Sequence, residues 1–278
     1  MKVRKLAGLV CAGGANRSFL ARMPALLERI GPVAGTSLRV SRRIANSLKA
    51  GTGVASYDPL ADCPWIWFAV PESSLEDLSA QLAAAVPLEG KTVVLCDAMR
   101  DSLLPSPLRT SGARVVTLNA VPATSERLFV AEGRADALVE LRKLLALEHR
   151  RLIELHPATK PLYLCGVHLA ADLLLPVIAG SVESLRSAGF TREEAIRAVE
   201  AIGSRTLRSY GKAGLKAWRA APADRLHQAI VEEMGMLRMT DPRLEPLCIA
   251  GFASAISFFA AKSGGHAPQS LRASGNVR

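Results

Sequence analysis

The chain of 278 residues is poor in paired cysteines, in aromatic residues and, over its first fifth, in acids. Its five cysteines (Cys11, Cys63, Cys96, Cys165, Cys248) are odd in number and contain no C-x-x-C pair, which excludes a disulfide framework and offers no zinc spacing. Reduced thiols in a cytoplasmic protein are the expectation. His149, His156, His227 and His266 also lack metal-ligand spacing, so no metal is expected. Aromatics make up 5% of residues, and Phe19 is the only one before Tyr57. Surfaces that read RNA or single strands stack bases on aromatics set among basic groups, so nucleic acid is not expected as a partner. Long apolar runs are scarce as well. Leu162 to Gly180 comes nearest to a membrane span, yet His168, Asp172 and Pro176 interrupt it. An ionised Asp near the middle of a lipid-facing helix is costly, so the stretch reads as a helix buried in protein and no membrane is expected. Leu6 to Ala12, apolar after a basic start, runs at once into Gly13-Gly14 and Asn16-Arg17-Ser18, and reads as a buried first strand in place of a signal peptide.

Where acids are missing, cations accumulate. Residues 1–57 hold ten Lys and Arg against the single acid Glu28, so that segment carries +9 of the chain's net +10. A charge concentrated in one segment suits a compact anion such as a nucleotide phosphate better than a polymer.

The remaining patterning is that of an α/β protein followed by an all-helical one. Apolar runs at 6–10, 33–40, 65–70, 91–96, 113–118, 127–131 and 151–155 read as strands. Between them, 18–30 (kinked at Pro24), 44–50, a segment opened by a Ser73/Glu76 capping box, and 136–147 read as helices. Such alternation implies a Rossmann-like, doubly wound parallel sheet. From Pro157 no strand is convincing. A long apolar helix at 159–188, bent or broken at Pro176, precedes helices at 191–209 (opened by a Thr191/Glu194 capping box), 224–239 and 247–262. The expected domains are 1–156, 157–262 and a mobile tail at 263–278.

The turn after the first strand, Gly8-Leu-Val-Cys-Ala-Gly-Gly-Ala-Asn-Arg-Ser, lies where dinucleotide folds bind pyrophosphate. Laid on G-x-G-x-x-G, its three positions are Cys11, Gly13 and Asn16, so only the middle glycine is kept; Gly14 and Arg17 complete the candidate cradle. A structural turn without ligand is the alternative. About 28 residues past Gly13, where an acid commonly accepts from an NAD ribose, the chain has Ser41, Arg42 and Arg43 and no acid between Glu28 and Asp58. Two guanidinium groups with a hydroxyl would select a 2′-phosphate, hence NADP as the expected cofactor, with a solvated helix start as the alternative.

These features, with Val70-Pro71 after an all-apolar strand, resemble the 6-phosphogluconate-dehydrogenase-like superfamily, most closely the oxidoreductases that join a Rossmann-like domain to a helical domain of unknown function. Lys160-x-x-Tyr163 at the opening of the long helix and Ala188-Gly-Phe-Thr-Arg-Glu-Glu-Ala195 carry the resemblance along nearly the whole chain, to about Lys262. It implies an all-α, 6-phosphogluconate-dehydrogenase-like C-terminal domain and a nicotinamide placed near Val70, Pro71 and Ser73. It also implies substrate contacts from Lys160, Tyr163, Asn119 and Asp172, with Lys160 as general acid or carboxylate anchor. The function implied is NADP-dependent hydride transfer to or from a small anionic metabolite in the cleft between domains. The family's Ser-Gly, His-Pro and Asn are replaced here by Asp97-Ala98, Asn119-Ala120 and Asp172, so the alternative is a catalytically degenerate nucleotide- or metabolite-binding protein. Two bland readings stand beside the site: Lys160 as a solvated helix start, and Asp172 as the i+4 partner of His168. A homodimer that buries the 162–180 helix is expected.

Overall fold

The computed structural model describes residues 7–12, 17–99, 102–103, 105–122, 128–217, 232–239 and 241–260. The chain divides into two compact units, Met1–Val167 and His168–Arg278, so the first turns of the long helix belong with the sheet.

The first unit is an eight-stranded sheet of order β3-β2-β1-β4-β5-β6-β7-β8. Its strands are β1 (Ala7–Cys11), β2 (Ile30–Ala34), β3 (Thr52–Gly53), β4 (Trp65–Ala69), β5 (Thr92–Cys96), β6 (Arg114–Ala120), β7 (Leu128–Gly133) and β8 (Arg151–Glu154). The sheet is mostly parallel, as expected, with one departure: β7 pairs antiparallel with β6, and β8 then follows β7 in parallel. The link 121–127 is too short for the crossover a parallel pair demands. Helices cover both faces, which is why β1 and β5 are buried at every position. Alternation sends Leu9, Trp67, Val94 and Val116 to one core and Val10, Phe68, Leu95 and Val115 to the other.

Local chemistry shifts several expected boundaries. Residues 18–30 form two short helices, α1 (Arg17–Ala21) and α2 (Pro24–Leu27). Pro24, which lacks an N–H, opens α2 and does not kink a longer helix. The Glu148 carboxylate accepts from the Ala25 N–H (2.6 Å) at that helix start. The strand expected at 33–40 ends at Ala34, and α3 (Leu38–Leu48) already begins at Leu38. Ser37 caps it, its Oγ accepting from the Val40 N–H at 3.3 Å, and the cap outweighs the β-propensity of Val40. Arg39, Arg42 and Arg43 therefore sit on a helix and not at a strand end. No capping box forms at Ser73: a 3₁₀ turn, Glu72–Ser74, leads into α4 (Leu75–Ala85). Two further helices, α5 (Ser106–Thr110) and α6 (Ala135–Ala146), complete the layers.

Helix α7 (Lys160–Ala170) leaves the first unit for the second, which continues with α8 (Leu174–Ser187), α9 (Arg192–Ala213), α10 (232–239) and α11 (Glu245–Ala260). The expected single helix breaks at 171–173, upstream of Pro176. Pro176 lies in the first turn of α8, where no N–H is needed, and its ring excludes the residue-172 carbonyl from a continuous ladder. The Thr191 capping box is present: Thr191 Oγ1 accepts from the Glu194 N–H (3.3 Å) and Glu194 Oε2 from the Thr191 N–H (2.9 Å). α9 runs past the expected stop at Ser209 to Ala213. The first part of the helix expected at 224–239, and the tail, lie outside the described residues. Helices 160–187 together are long and apolar enough to cross a membrane by length and composition. Among the described residues from His168 onward, only Gly180 and Ala195 are buried.

Candidate functional site

The strand order reverses between β1 and β4, and in open α/β sheets ligands lie outside the carboxyl ends of the strands at such a switch point. Cys11, Ala69, Cys96 and Ala120 end their strands along this edge. The turn after β2 closes against it: a Cβ added to Gly35 would meet the Cys11 carbonyl oxygen at 3.2 Å and Ser41 Oγ at 3.3 Å, a tight approach that glycine relieves. Val70 continues β4 and is buried, Pro71 is half-buried and Ser73 exposed. The Glu72 carboxylate accepts from the Met99 N–H at 3.2 Å, tying the turn after β4 to the turn after β5.

Beside that edge the sheet carries buried polar side chains: Asn119, Glu132 and Lys160 are each at most 4% exposed. Lys160 is not a solvated helix start, since it has no accessible surface at all. The Asn119 amide donates to the Ala98 carbonyl at 3.0 Å, while its Oδ1 has no partner among the described residues. Glu132 Oε1 accepts from the Ala158 N–H at 3.2 Å and holds the turn that delivers Lys160; Ala158 there is left-handed, at φ 62°.

Asp97, the first residue after β5, is the centre of the cluster. It takes a left-handed φ of 55° and donates its N–H to the Leu118 carbonyl. Its surface reaches solvent, yet the protein crowded around it excludes enough water to push its carboxyl above the usual value, against the pull of the Asn119 side chain, the Arg22 and Lys160 charges and the Ala120 N–H. Burial, and then the Asp97 charge, hold the Tyr163 phenol above its ordinary value. It is therefore a proton donor at neutral pH.

Of the four residues expected to touch substrate, Asn119, Lys160 and Tyr163 thus gather with Asp97 in the first unit. The fourth, Asp172, lies in the second unit, where its carboxylate meets His168 Nδ1 at 2.7 Å and both side chains are exposed. This is the i+4 pair anticipated as its alternative role. Gly13, Gly14 and Asn16 lie outside the described residues, and Arg17 is the first residue of α1. Ser41 requires correction as a phosphate ligand: it is fully buried and its hydroxyl donates to the Ser37 carbonyl at 2.9 Å. The backbone of Arg42 packs under Gly53, where an added Cβ would lie 2.5 Å from the Arg42 nitrogen. Arg39 and Arg43, with Val40 and Asn46, line a shallow recess on α3.

Asp97 and the turn Thr36-Ser37 were not singled out from sequence as site residues. An acid directly after an all-apolar strand, and a Ser-x-x-Val start three residues after β2, were the available signals. Burial raises the Cys96 thiol well above its ordinary value, so it offers no thiolate nucleophile.

No family of known sequences and no curated protein matches the chain in sequence. Solved structures do match in fold. An imine reductase from Aspergillus terreus aligns at TM-score 0.65 with 15% identity, over 97% of this chain and 99% of its own. A reductive aminase from the same organism, solved with NADPH and ethyl-5-oxohexanoate, aligns at 0.63 with 16% identity, over 97% and 98%. A pyrroline-5-carboxylate reductase from Coxiella burnetii aligns at 0.54 with 14% identity, over 91% and 97%. The chain therefore shares the fold of these structures, a Rossmann-like sheet followed by a helical part.

Proposed function

We propose that the chain is an NADP(H)-dependent reductase of a small, anionic substrate carrying a C=N or C=O group. The observation that carries this reading is the fully buried amine of Lys160 beside Asp97, at the strand edge where this fold takes its ligands. Burying a cation is costly, and an anionic substrate group gains most from it where water is excluded.

The residues fit a dinucleotide. The N-terminus of α3 carries no acid in its first turn, and its dipole, the Thr36 and Ser37 hydroxyls and the Arg39 and Arg43 guanidinium groups would together hold a 2′-phosphate. Val70, Pro71 and Ser73 would flank the nicotinamide. When bound, the cofactor supplies the hydride. Lys160 anchors the substrate's anionic group, Asn119 orients it, and the Tyr163 phenol donates the proton that the reduced nitrogen or oxygen requires. Asp172, in the second unit, is held by His168.

Thermal melting with NADPH, NADP, NADH and NAD tests the reading. Stabilisation by the phosphorylated pair at concentrations where the other two do nothing supports it; no shift with any of them overturns it. Stabilisation without turnover of any imine or ketone would favour the degenerate binder, which the loss of glycine at positions 11 and 16 also allows.

The free thiols suit a reducing cytoplasm. The helical unit suits a homodimer: among its described residues only Gly180 and Ala195 are buried, while Leu169, Leu173 and Leu175 are 57–62% exposed. Sedimentation is expected to give twice the chain mass of 29.6 kDa. Leu169→Glu with Leu173→Glu is expected to halve it. A monomeric parent chain, or one requiring detergent, would contradict the dimer.

A further inference from the structure

One cavity lies away from the cofactor edge. It is about 310 Å³ in volume and opens at the other end of the sheet, where Ala7 and Trp65 begin β1 and β4. Five-residue strands put that end roughly 15 Å from Cys11 and Ala69. Leu26 and Arg29, at and after α2, form one wall, and Lys143, Leu144 and Leu147, at the end of α6, form the other. Trp65 and Trp67 form the floor, their rings stacked at 6.4 Å with 21° between planes.

Two independent features point to a ligand. Trp67 is fully buried, and its indole N–H has no acceptor among the described residues; buried donors of this kind are normally satisfied. The charges around the cavity are also unbalanced. Its one acid, Glu140, is paired with Arg114 at 3.5 Å, whereas Arg29 and Lys143 have no ion-pair partner among the described residues. A flat apolar group fits against indole rings and leucines, while an anionic oxygen would meet the two cations. A volume near 300 Å³ is at the small end of ligand sites.

We propose that this cavity binds a small monocarboxylate carrying a flat apolar group, at a site separate from the cofactor. The test titrates the full chain with phenylacetate, 2-phenylethanol and 2-phenylethylamine while following tryptophan fluorescence. Phenylacetate is expected to give a saturating change and to bind at least about tenfold more tightly than the alcohol, with the amine weaker still. Lys143→Glu, an exposed position that leaves the fold intact, is expected to reduce phenylacetate binding by about tenfold. Adding Arg29→Glu is expected to turn the preference toward the amine. Saturating NADP is expected to leave the titration unchanged. Equal affinity for acid and alcohol, undiminished binding in Lys143→Glu, displacement by NADP, or no response to any probe at about 10 mM would each overturn the proposal.

Discussion

Lys160→Met is expected to lower the kcat of NADPH-dependent reduction by about 10²- to 10³-fold, with the protein still folded. The magnitude follows from position. Lys160 is fully buried, its charge acts on Asp97, and Asp97 in turn acts on Tyr163. Removing the ammonium therefore removes the counter-charge proposed for the substrate and alters the field at Asp97 and, through it, at the Tyr163 phenol. Methionine matches the lysine stem in shape, and Asp97, whose surface reaches water, keeps its hydration; the change thus avoids the full penalty of stranding a buried charge. Steady-state rates with NADPH, read beside a melting curve, separate the outcomes. An unchanged kcat in a folded variant would remove Lys160 from the mechanism, and a loss of folding would show a structural role.

The second large effect is expected at the β2–α3 turn. Arg39→Ala with Arg43→Ala should raise the KM for NADPH by about 100-fold and leave that for NADH unchanged, because two charge-assisted contacts to a 2′-phosphate are lost. Arg42→Ala alone should do less. The Arg42 backbone is pinned beneath Gly53, whereas Arg39 and Arg43 lie one helical turn apart along the same recess. Equal losses for both cofactors would mean that these arginines stabilise the helix or the general field and do not read the extra phosphate.

Reading the chain in order, the alternation of apolar runs was enough to place β1, β4, β5 and β6, because a strand covered by helices on both faces must be apolar throughout. The same reasoning misplaced the segment 33–48. There, Val33 to Val40 has the composition of a strand, but the Ser37 cap claims the N–H of Val40 and starts a helix. That local hydrogen bond moved the arginines from a strand end to a helix face and turned Ser41 inward. Antiparallel β7 was also missed, since periodicity has no direction. Thr191 and Glu194 behaved differently: their cap is contained within four residues and formed as read.

The residues of the candidate site were legible by type and only partly by place. Asn119, Lys160 and Tyr163 stood out, whereas Asp97 did not, because its importance comes from neighbours far along the chain: Arg22 on one side, Asn119 and Lys160 on the other. What the amino-acid order decided alone is the fold class, the change to helices after residue 157 and the basic character of the first fifth, all of which depend on local periodicity and composition. What required tertiary structure is the burial of Lys160, the raised Asp97 carboxyl and the commitment of Ser41 to the backbone. Desolvation and through-space charge are set by which strand ends meet, and no stretch of sequence contains that distance.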